Sequence, residues 1–443
     1  MEKIGIVSLG CPRNLVDSEI ILGSLKKEGY TISDEVGDGL DVFIINTCSF
    51  VKSAREESIE MILQAAKLKK EGRIKHLVVA GCLSQAYGGK LLKDLPEVDS
   101  IVGTSDFIKI NDIVKTLLKN ERRCVVSKTP KYLYDERSPR LSLTAPHYAY
   151  IKISEGCDNL CSYCIISRLR GRFRSRSVES VIKEVKNVSG AGRLKEIDLI
   201  GQDTTLFGKD LYGKSVFPEL LRSLAGLKNS VEWIRVLYTH PAHYTDEFIS
   251  IVKIEPKICK YLDLPVQHIN DKILKRMNRH VTKKDMIALI EKIRKNIPSV
   301  ALRTSVIVGF PGETEKDFNE LLGFLKEARF ERLGAFVYSK EEGSKASKFK
   351  GQIPEEVKNE RFDEVMKCQQ QISASMNRSF LGKSLKVLLD EKTERNKYFG
   401  RTEFDAPEVD GGVYVTGKNL KVGEFYKVRI TDTLEYDLVG EAV

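Results

Sequence analysis

Apolar runs and amphipathic stretches alternate along the first 125 residues. This alternation is typical of βαβ units, so residues 1–125 are predicted to form an α/β domain with a parallel sheet. The predicted strands are Lys3–Leu9, Asp41–Ile45 and His76–Ala80, and the predicted helices include Asp17–Lys27 and Ser53–Lys69. Residues 126–147 follow as a linker, because this segment carries three prolines and no sustained period.

A second alternating series covers residues 148–380. Its predicted strands are Tyr148–Ile153, Ile197–Gly201, Trp233–Leu237, Tyr261–Leu264, Leu302–Val308 and Leu333–Val337. A long helix, Pro354–Ser379, closes the region. Six β/α units predict a partial (β/α)6 barrel, whose ligand site is expected at the carboxyl ends of its strands.

The pattern changes again in residues 381–443, where short strands are separated by turns. The predicted strands are Ser384–Leu389, Tyr398–Thr402, Gly412–Val415, Phe425–Asp432 and Asp437–Ala442. Five strands in such a short segment predict a small antiparallel β-barrel of the OB type. The fold class is therefore α/β, with a β-barrel at the carboxyl end.

Composition narrows the class of protein. The chain has 443 residues, 42% of them hydrophobic and 30% charged, which excludes a disordered or fibrous chain. No apolar run approaches the roughly 18 residues that span a bilayer. The amino-terminal MEKIGIVSLG reads as a strand rather than a signal peptide. We therefore expect a cytoplasmic protein without membrane contact, in which nine cysteines are metal ligands or free thiols rather than disulfides.

One local motif places Cys157, Cys161 and Cys164 directly after the first strand of the predicted barrel. Three thiolates within eight residues can hold three irons of a [4Fe–4S] cube, which leaves the fourth iron open. A zinc site is the nearest competitor, but no nearby Cys or His completes a set of four ligands. The remaining alternative is three loop thiols without a metal.

A second set of cysteines has no local motif. Cys11, Cys48 and Cys82 each follow one of the three predicted strands of the first domain. Carboxyl ends of parallel strands share one edge of a sheet, so these thiols are expected to converge on a second metal site. The alternative is that each is a small buried residue near a strand end. Cys124, Cys259 and Cys368 show no such placement and are predicted to be structural.

Charge is distributed unevenly. The net charge is +10, yet residues 381–443 carry −2, and residues 126–380 carry +12. An acidic OB-like barrel suits a basic protein partner better than RNA, which normally meets a positive surface. Arg168, Arg170, Arg172, Arg174 and Arg176 occupy alternate positions, which in an extended segment would point them to one side. Such a run either binds a ligand or an acidic segment, or it is solvated loop charge.

Around the two cysteine sets, the sequence resembles the radical SAM (S-adenosylmethionine) methylthiotransferases. The resemblance spans essentially the whole chain, including a carboxyl-terminal TRAM domain. Within that family it is similar to the RimO branch rather than the tRNA-modifying MiaB branch. The matching segments are LGCPRNLVDSE (9–19), NTCSFVKSAREES (46–58), RGRFRSRSVE (170–179), DLPVQHIND (263–271) and DAPEVDG (405–411).

The resemblance implies two [4Fe–4S] clusters and SAM. Cys157, Cys161 and Cys164 would hold the cluster that binds SAM, and Cys11, Cys48 and Cys82 would hold an auxiliary cluster. The implied reaction adds a methylthio group to the β-carbon of an aspartate in ribosomal protein S-twelve, with no catalytic side chain beyond the cluster ligands. A radical is needed because that carbon is unreactive in acid–base chemistry.

The resemblance also suggests residues that contact SAM, namely Gln202, Arg303 and Gly309, although turn chemistry explains the glycine equally well. Gln267 and His268 end the fourth strand of the barrel and are candidates to face the substrate. The implied partners are ribosomal protein S-twelve or the small ribosomal subunit, and a low-potential electron donor such as flavodoxin or ferredoxin. A monomer is expected.

Two other functions stay open on the sequence. The first is a tRNA adenosine methylthiotransferase of the MiaB type, for which a basic carboxyl-terminal barrel would be expected. The second is a non-enzymatic RNA-binding protein that a structural metal stabilises.

Overall fold

The computed structural model describes residues 2–33, 39–49, 51–190 and 192–443. Its first sheet has six parallel strands in the order β2-β1-β3-β4-β5-β6. These strands are β1 (Lys3–Ser8), β2 (Thr31–Ile32), β3 (Leu40–Thr47), β4 (Ile74–Gly81), β5 (Ser100–Val102) and β6 (Arg123–Val125). The three central strands match the prediction. The other three were missed because two or three residues are too few to show a period.

Helices cover both faces of this sheet. They are α1 (Pro12–Lys27), α2 (Lys52–Lys70), α3 (Cys82–Tyr87), α4 (Gly89–Asp94) and α5 (Ile110–Leu117). Alternate residues of β3 pack on opposite faces of the sheet. Val42 and Ile44 lie in one apolar cluster, and Phe43 and Ile45 lie in another. Burial on both faces fits the continuous apolar runs that predicted these strands.

Residues 126–147 contain no helix or strand, yet they pack tightly on both neighbouring domains. Arg140 donates from Nε to Glu19 on α1 (2.6 Å) and from Nη1 to Glu184 of the central domain (2.8 Å). This segment therefore joins the two domains by buried ion pairs as well as by the chain itself.

The central sheet has six parallel strands in the order β14-β13-β12-β11-β10-β7, so it is open between β7 and β14. A short antiparallel pair, β8 with β9, stands beside it. The strands are β7 (Tyr148–Lys152), β8 (Ser154–Glu155), β9 (Arg174–Ser175), β10 (Glu196–Ile200), β11 (Trp233–Val236), β12 (Ile258–Asp263), β13 (Ala301–Val308) and β14 (Arg332–Val337). The open six-stranded barrel confirms the predicted architecture.

Helices surround this barrel, and several have strong caps. They are α6 (Ile166–Arg170), α7 (Val178–Ser189), α8 (Lys209–Tyr212), α9 (Phe217–Ala225), α10 (Asp246–Ile254), α11 (Asp271–Met277), α12 (Lys283–Asn296), α13 (Glu315–Ala328) and α14 (Glu355–Arg378). Short 3-10 turns occur at Phe107–Lys109, Thr204–Leu206, Pro241–His243 and Ala346–Lys348. Thr314 and Asp317 form a reciprocal capping box at the start of α13. Within the described parts of the chain, no helix is both long enough and apolar enough to cross a membrane.

The arginine run is not extended throughout, so the prediction that its side chains share one side is wrong. Arg168 and Arg170 lie in helix α6, and only Arg174 lies in a strand. Arg170 and Arg176 are buried in ion pairs, whereas Arg172 is 87% exposed. Helix formation and burial separate these side chains, because carboxylates of different elements pair with them.

The carboxyl-terminal strands close into a barrel in the order β15-β16-β17-β19-β18. They are β15 (Ser384–Glu394), β16 (Lys397–Arg401), β17 (Val413–Thr416), β18 (Phe425–Thr433) and β19 (Leu438–Ala442). Four neighbouring pairs are antiparallel, and the pair β17–β19 is parallel. The prediction of an antiparallel barrel is therefore wrong for this pair, because β18 lies between β17 and β19 in sequence but not in space.

Candidate active site

A cavity of about 380 Å³ opens at the carboxyl ends of the central strands. Its lining includes Cys11 from the first domain and Cys157, Cys161 and Cys164 from the loop after β8. The structure therefore brings members of both predicted cysteine sets to one cavity between two domains.

The other two cysteines of the first set lie behind Cys11. β1, β3 and β4 are neighbours in the sheet, and Cys11, Cys48 and Cys82 follow their carboxyl ends. Cys48 and Cys82 are only 5% and 6% exposed. Gly10 has a φ of +86°, and a Cβ there would stand 2.7 Å from the Cys48 sulfur. Glycine at this position therefore permits the close approach of the two cysteine loops.

Asn14 ties these loops together. Its buried amide Nδ2 donates to the carbonyl oxygens of Leu9 (3.0 Å) and Thr47 (2.8 Å), which precede Cys11 and Cys48. Thr47 in turn donates from its hydroxyl to the carbonyl of Ala80, close to Cys82. The three loops are thus connected by side-chain hydrogen bonds, not by sequence proximity.

Two arginines cross from one domain to the other beside this set. Arg13 donates to the carbonyl of Gly201 (2.8 Å) and lies 4.2 Å above the ring of Tyr238, both in the central domain. Arg170 of the central domain lies 3.6 Å from the Cys82 sulfur. Burial raises the pKa of Cys11, but the positive charges of Arg13 and Arg170 outweigh it, so that pKa is lowered. The site thus favours the thiolate of Cys11.

Around the second set, donors point at the sulfurs. The Ile166 N–H donates to the Cys164 sulfur (3.4 Å), and Arg279 donates from Nη1 to the Cys161 sulfur (3.7 Å). Asn159, inside the cysteine loop, donates to Asp203 (2.7 Å). Donors of this kind stabilise sulfur that carries negative charge, as metal-bound thiolate does.

The distances between the sulfur atoms test whether either cysteine set could hold a single zinc ion. One tetrahedral zinc with Zn–S bonds of ~2.3 Å would hold its sulfurs about 3.8 Å apart. Among the described residues, the three ligand atoms that lie within 4.8 Å of one another are those of Asp203, His240 and His243, and neither cysteine set meets this limit. Irons at separate corners of a cube hold their sulfurs farther apart than one ion does, and neither cysteine set has the close spacing of a single-zinc site.

The group Asp203, His240 and His243 is a hydrogen-bonded cluster. Asp203 Oδ2 lies 2.8 Å from His243 Nδ1 and also accepts from Asn159. His240 Nδ1 accepts from the Ala242 N–H, which leaves its proton on Nε2. Nε2 therefore has no free lone pair for a metal in this arrangement.

Comparison with known proteins agrees with this architecture. Residues 151–325 match the Radical SAM superfamily, residues 3–103 match Uncharacterized protein family UPF0004, and residues 381–443 match the TRAM domain. A protein of Desulfitobacterium hafniense is 45% identical over 443 residues, covering 100% of this chain and 99% of its own length. It is named ribosomal protein uS12 methylthiotransferase RimO, as is a Clostridioides difficile protein that is 47% identical over 445 residues, covering 100% of this chain and 99% of its own length.

The chain belongs to the RimO family.

Solved structures support the fold. The radical SAM methyltransferase TsrM of Kitasatospora setae, with cobalamin and a [4Fe–4S] cluster bound, matches 76% of this chain and 75% of its own with a TM-score of 0.53 and 14% identity. Members of the RimO family are radical SAM methylthiotransferases, so the chain binds a [4Fe–4S] cluster and SAM.

Gln202 presents a side-chain amide to the cavity. It lines the cavity, and its amide nitrogen donates to Glu155 (2.5 Å). Its buried Oε1 has no hydrogen-bond partner. An orphaned acceptor beside the cysteine loop fits the ammonium group of SAM, so the side chains present suit this cofactor.

The other predicted contacts are placed differently. Arg303 lines the cavity, but its guanidinium already lies between Asp263 (3.2 Å) and Asp410 (3.4 Å). Gly309 does not line the cavity: its N–H donates to Glu313, and a Cβ there would stand 2.2 Å from Cγ of Lys358. The structure therefore gives Gly309 a role in the packing of α14.

Gln267 and His268 also differ in their position relative to the cavity. Gln267 lines the cavity with a φ of +66°, a conformation that non-glycine residues rarely adopt. His268 is fully buried outside the lining, and burial lowers its pKa to about 4. His268 therefore does not face the cavity, because Asn270 donates to its Nδ1 and fixes the ring in the core.

Sequence reasoning missed several residues of the cavity, including Arg13, Tyr238 and Arg279. Arg13 stood in the quoted segment 9–19, beside Cys11, and that position was a usable signal. Tyr238 lies two residues after the end of β11 and has a φ of +59°, which the sequence does not reveal.

Proposed function

We propose that this chain is a methylthiotransferase that adds a methylthio group to an aspartate of ribosomal protein uS12, using SAM and two [4Fe–4S] clusters. The substrate is supported by full-length relatives of that name at 45–47% identity. The observation that carries the proposal is one cavity lined by Cys11 on one side and by Cys157, Cys161 and Cys164 on the other. An enzyme that uses a second cluster for sulfur needs both sites to reach one carbon.

The ligand assignment follows from this cavity. Cys157, Cys161 and Cys164 would hold the cluster that serves SAM, and the first-domain cysteines would hold the auxiliary cluster. When bound, these groups supply the one-electron chemistry that removes hydrogen from an unactivated carbon, and the sulfur that replaces it.

The protein's own residues orient and protect these groups. Gln202 keeps Oε1 free as an acceptor, because Glu155 takes up its amide nitrogen. Lys152 donates to Glu155 (2.8 Å), and together with Arg170 it lowers the pKa of that carboxyl despite the opposing effect of burial. Glu155 therefore stays ionised and holds Gln202 in one orientation.

Ion pairs also fix how the two domains face each other. Asp17 of α1 receives hydrogen bonds from Lys152 and Arg170 of the central domain, each at 2.5 Å. All three residues are at most 3% exposed. Breaking such buried pairs is costly, so they hold the two domains that line the cavity in place.

The partners that complete the proposal are uS12, free or in the small ribosomal subunit, and a low-potential electron donor of the flavodoxin or ferredoxin class. We further propose that the protein acts as a monomer in the cytoplasm. The −2 net charge of residues 381–443 suits a basic ribosomal protein.

The test uses the full chain, reconstituted with iron and sulfide without oxygen and then supplied with SAM, a reductant and recombinant uS12. Mass spectrometry of uS12 peptides should locate one methylthio group on an aspartate. Total tRNA is incubated in parallel, and its nucleosides are analysed. Methylthioadenosine in tRNA with unmodified uS12 would replace this proposal by the tRNA function.

A further inference from the structure

A loop of the carboxyl-terminal barrel reaches into the central domain. This loop, residues 402–411, connects β16 to β17, and we call it the crossing loop. It contacts five of the six barrel strands, including both edges of the open sheet. Its partners are Tyr148 on β7, Arg235 on β11, Tyr261 on β12, Arg303 on β13 and Arg332 on β14.

The contacts of the crossing loop are short and buried. Tyr261 donates from its hydroxyl to Asp410 (2.7 Å), and Arg332 donates to Asp405 (2.5 Å). The side chains of Asp405 and Asp410 are 2% and 3% exposed. Buried hydrogen bonds and ion pairs to separate strands hold the loop in one position against the barrel.

The conformation of the tip is also fixed from within. The Ala406 N–H donates to Asp410 (3.0 Å), and Thr402 donates from its hydroxyl to Asp405 (2.6 Å). Glu408 has a φ of +66° and accepts from the hydroxyl of Tyr148 (3.0 Å). A non-glycine residue in this conformation costs free energy, and such residues concentrate at functional sites.

Val409 is the exception to this burial. It is 51% exposed, and it lines the cavity that the cysteines line. Among the described residues, it alone represents the carboxyl-terminal barrel in that lining. A rigid loop thus presents an apolar side chain to the cavity.

We propose that Val409 contacts the segment of uS12 that enters the cavity and helps to determine the specificity of the enzyme for it. This inference rests on the proposed function. The loop reaches the cavity beside β12 and β13, whereas Gln202 and the cysteine loop follow β10 and β8. Val409 therefore reaches the cavity from other strands than those that carry the cysteine loop and Gln202. The exposed Glu408 beside it offers negative charge to a basic protein.

The test replaces Val409 by a larger side chain and measures binding and turnover of uS12. We expect Val409→Trp to raise KM and the Kd for uS12 at least tenfold, and Val409→Ala to raise them about three- to tenfold. The matched control is Val422→Trp, since Val422 is a 44% exposed valine of the same barrel outside the cavity. It should leave KM, Kd and kcat unchanged.

Iron content and a benzophenone photocrosslinker at position 409 complete the experiment. Unchanged iron separates an effect on uS12 from a loss of the clusters, and a crosslink from position 409 to uS12 supports direct contact. Wild-type KM and Kd in Val409→Trp, or equal crosslinking from position 422, would overturn the inference. If the wild type itself fails to modify uS12, the proposed function is wrong rather than the role of Val409.

Discussion

The first domain collects its cysteines from three strands, 37 and 34 residues apart, whereas the central barrel holds its three within eight residues of one loop. The barrel set needs only a local turn, so its pattern is visible in the sequence. The first-domain set exists only after β1, β3 and β4 pair in register. A dispersed site therefore depends on tertiary contacts. Mutations remote from the ligands should consequently disrupt the first-domain site more than the barrel site.

The largest effect should come from the contact that joins both regions. Arg170 touches Asp17, Glu155, Asn14 and Cys82, so Arg170→Met leaves buried carboxylates with too few partners. We expect a loss of about 3–5 kcal/mol in the free energy of unfolding. Urea unfolding of the metal-free protein measures it. The control Arg172→Met alters an exposed side chain and should change stability by less than ~0.5 kcal/mol. Equal losses in both variants would disprove the bridging role of Arg170.

Asparagines in the two cysteine regions provide a direct comparison. Asn14→Ala removes the two bonds that the side chain donates between the first-domain loops, and the bonds that it accepts from Arg170 and the Cys82 thiol. We therefore expect a loss of about 2–4 kcal/mol in the free energy of unfolding. Asn159→Ala removes one bond to Asp203 in the barrel loop and should cost ~1 kcal/mol. Iron analysis should find that Asn14→Ala loses about half of the iron and Asn159→Ala retains it. The reverse order would contradict the view that the dispersed site is the more fragile one.

Acid should destabilise the central barrel more than the first domain. His268 has an ordinary pKa of 6.5, lowered to about 4 by burial. Below pH ~6.5 His268 is protonated in the unfolded chain, whereas in the folded protein it stays neutral down to pH ~4. The free energy of unfolding therefore decreases as the pH falls through this window, by about 2–3 kcal/mol. His268→Asn should remove this part of the slope in unfolding measurements from pH 7 to 4. His76→Asn, at a partly exposed position of the first domain, should change it less. An unchanged slope in His268→Asn would show that other groups cause the acid sensitivity.

Periodicity predicted all six strands of the central sheet and the five of the carboxyl-terminal barrel. It worked because most of these strands have buried apolar positions and are bounded by turns. In the first sheet, strands β2, β5 and β6 are too short to have a period. The parallel pairing of β17 with β19 depends on spatial order, which strand prediction does not contain.

The candidate site was predictable where a local motif or the end of a strand positions its residues. Cys11 and Gln202 were found because both follow strand ends. Arg170 was noticed but assigned to one exposed side with its neighbours, since its partner Asp17 is 153 residues away. Gly309 belongs to a turn that packs against α14, which its sequence context did not distinguish from a cavity position. Val409 reaches the cavity through a loop of another domain, and no local pattern reveals that.

We propose that each cysteine set holds its own [4Fe–4S] cluster. Iron and sulfide are measured in the anaerobically reconstituted full chain and in two triple variants, Cys11→Ala/Cys48→Ala/Cys82→Ala and Cys157→Ala/Cys161→Ala/Cys164→Ala. We expect about eight irons and eight sulfides per chain in the wild type and about four of each in either variant. Zinc without sulfide, or a wild type that holds only about four irons, would contradict the assignment of one cluster to each cysteine set.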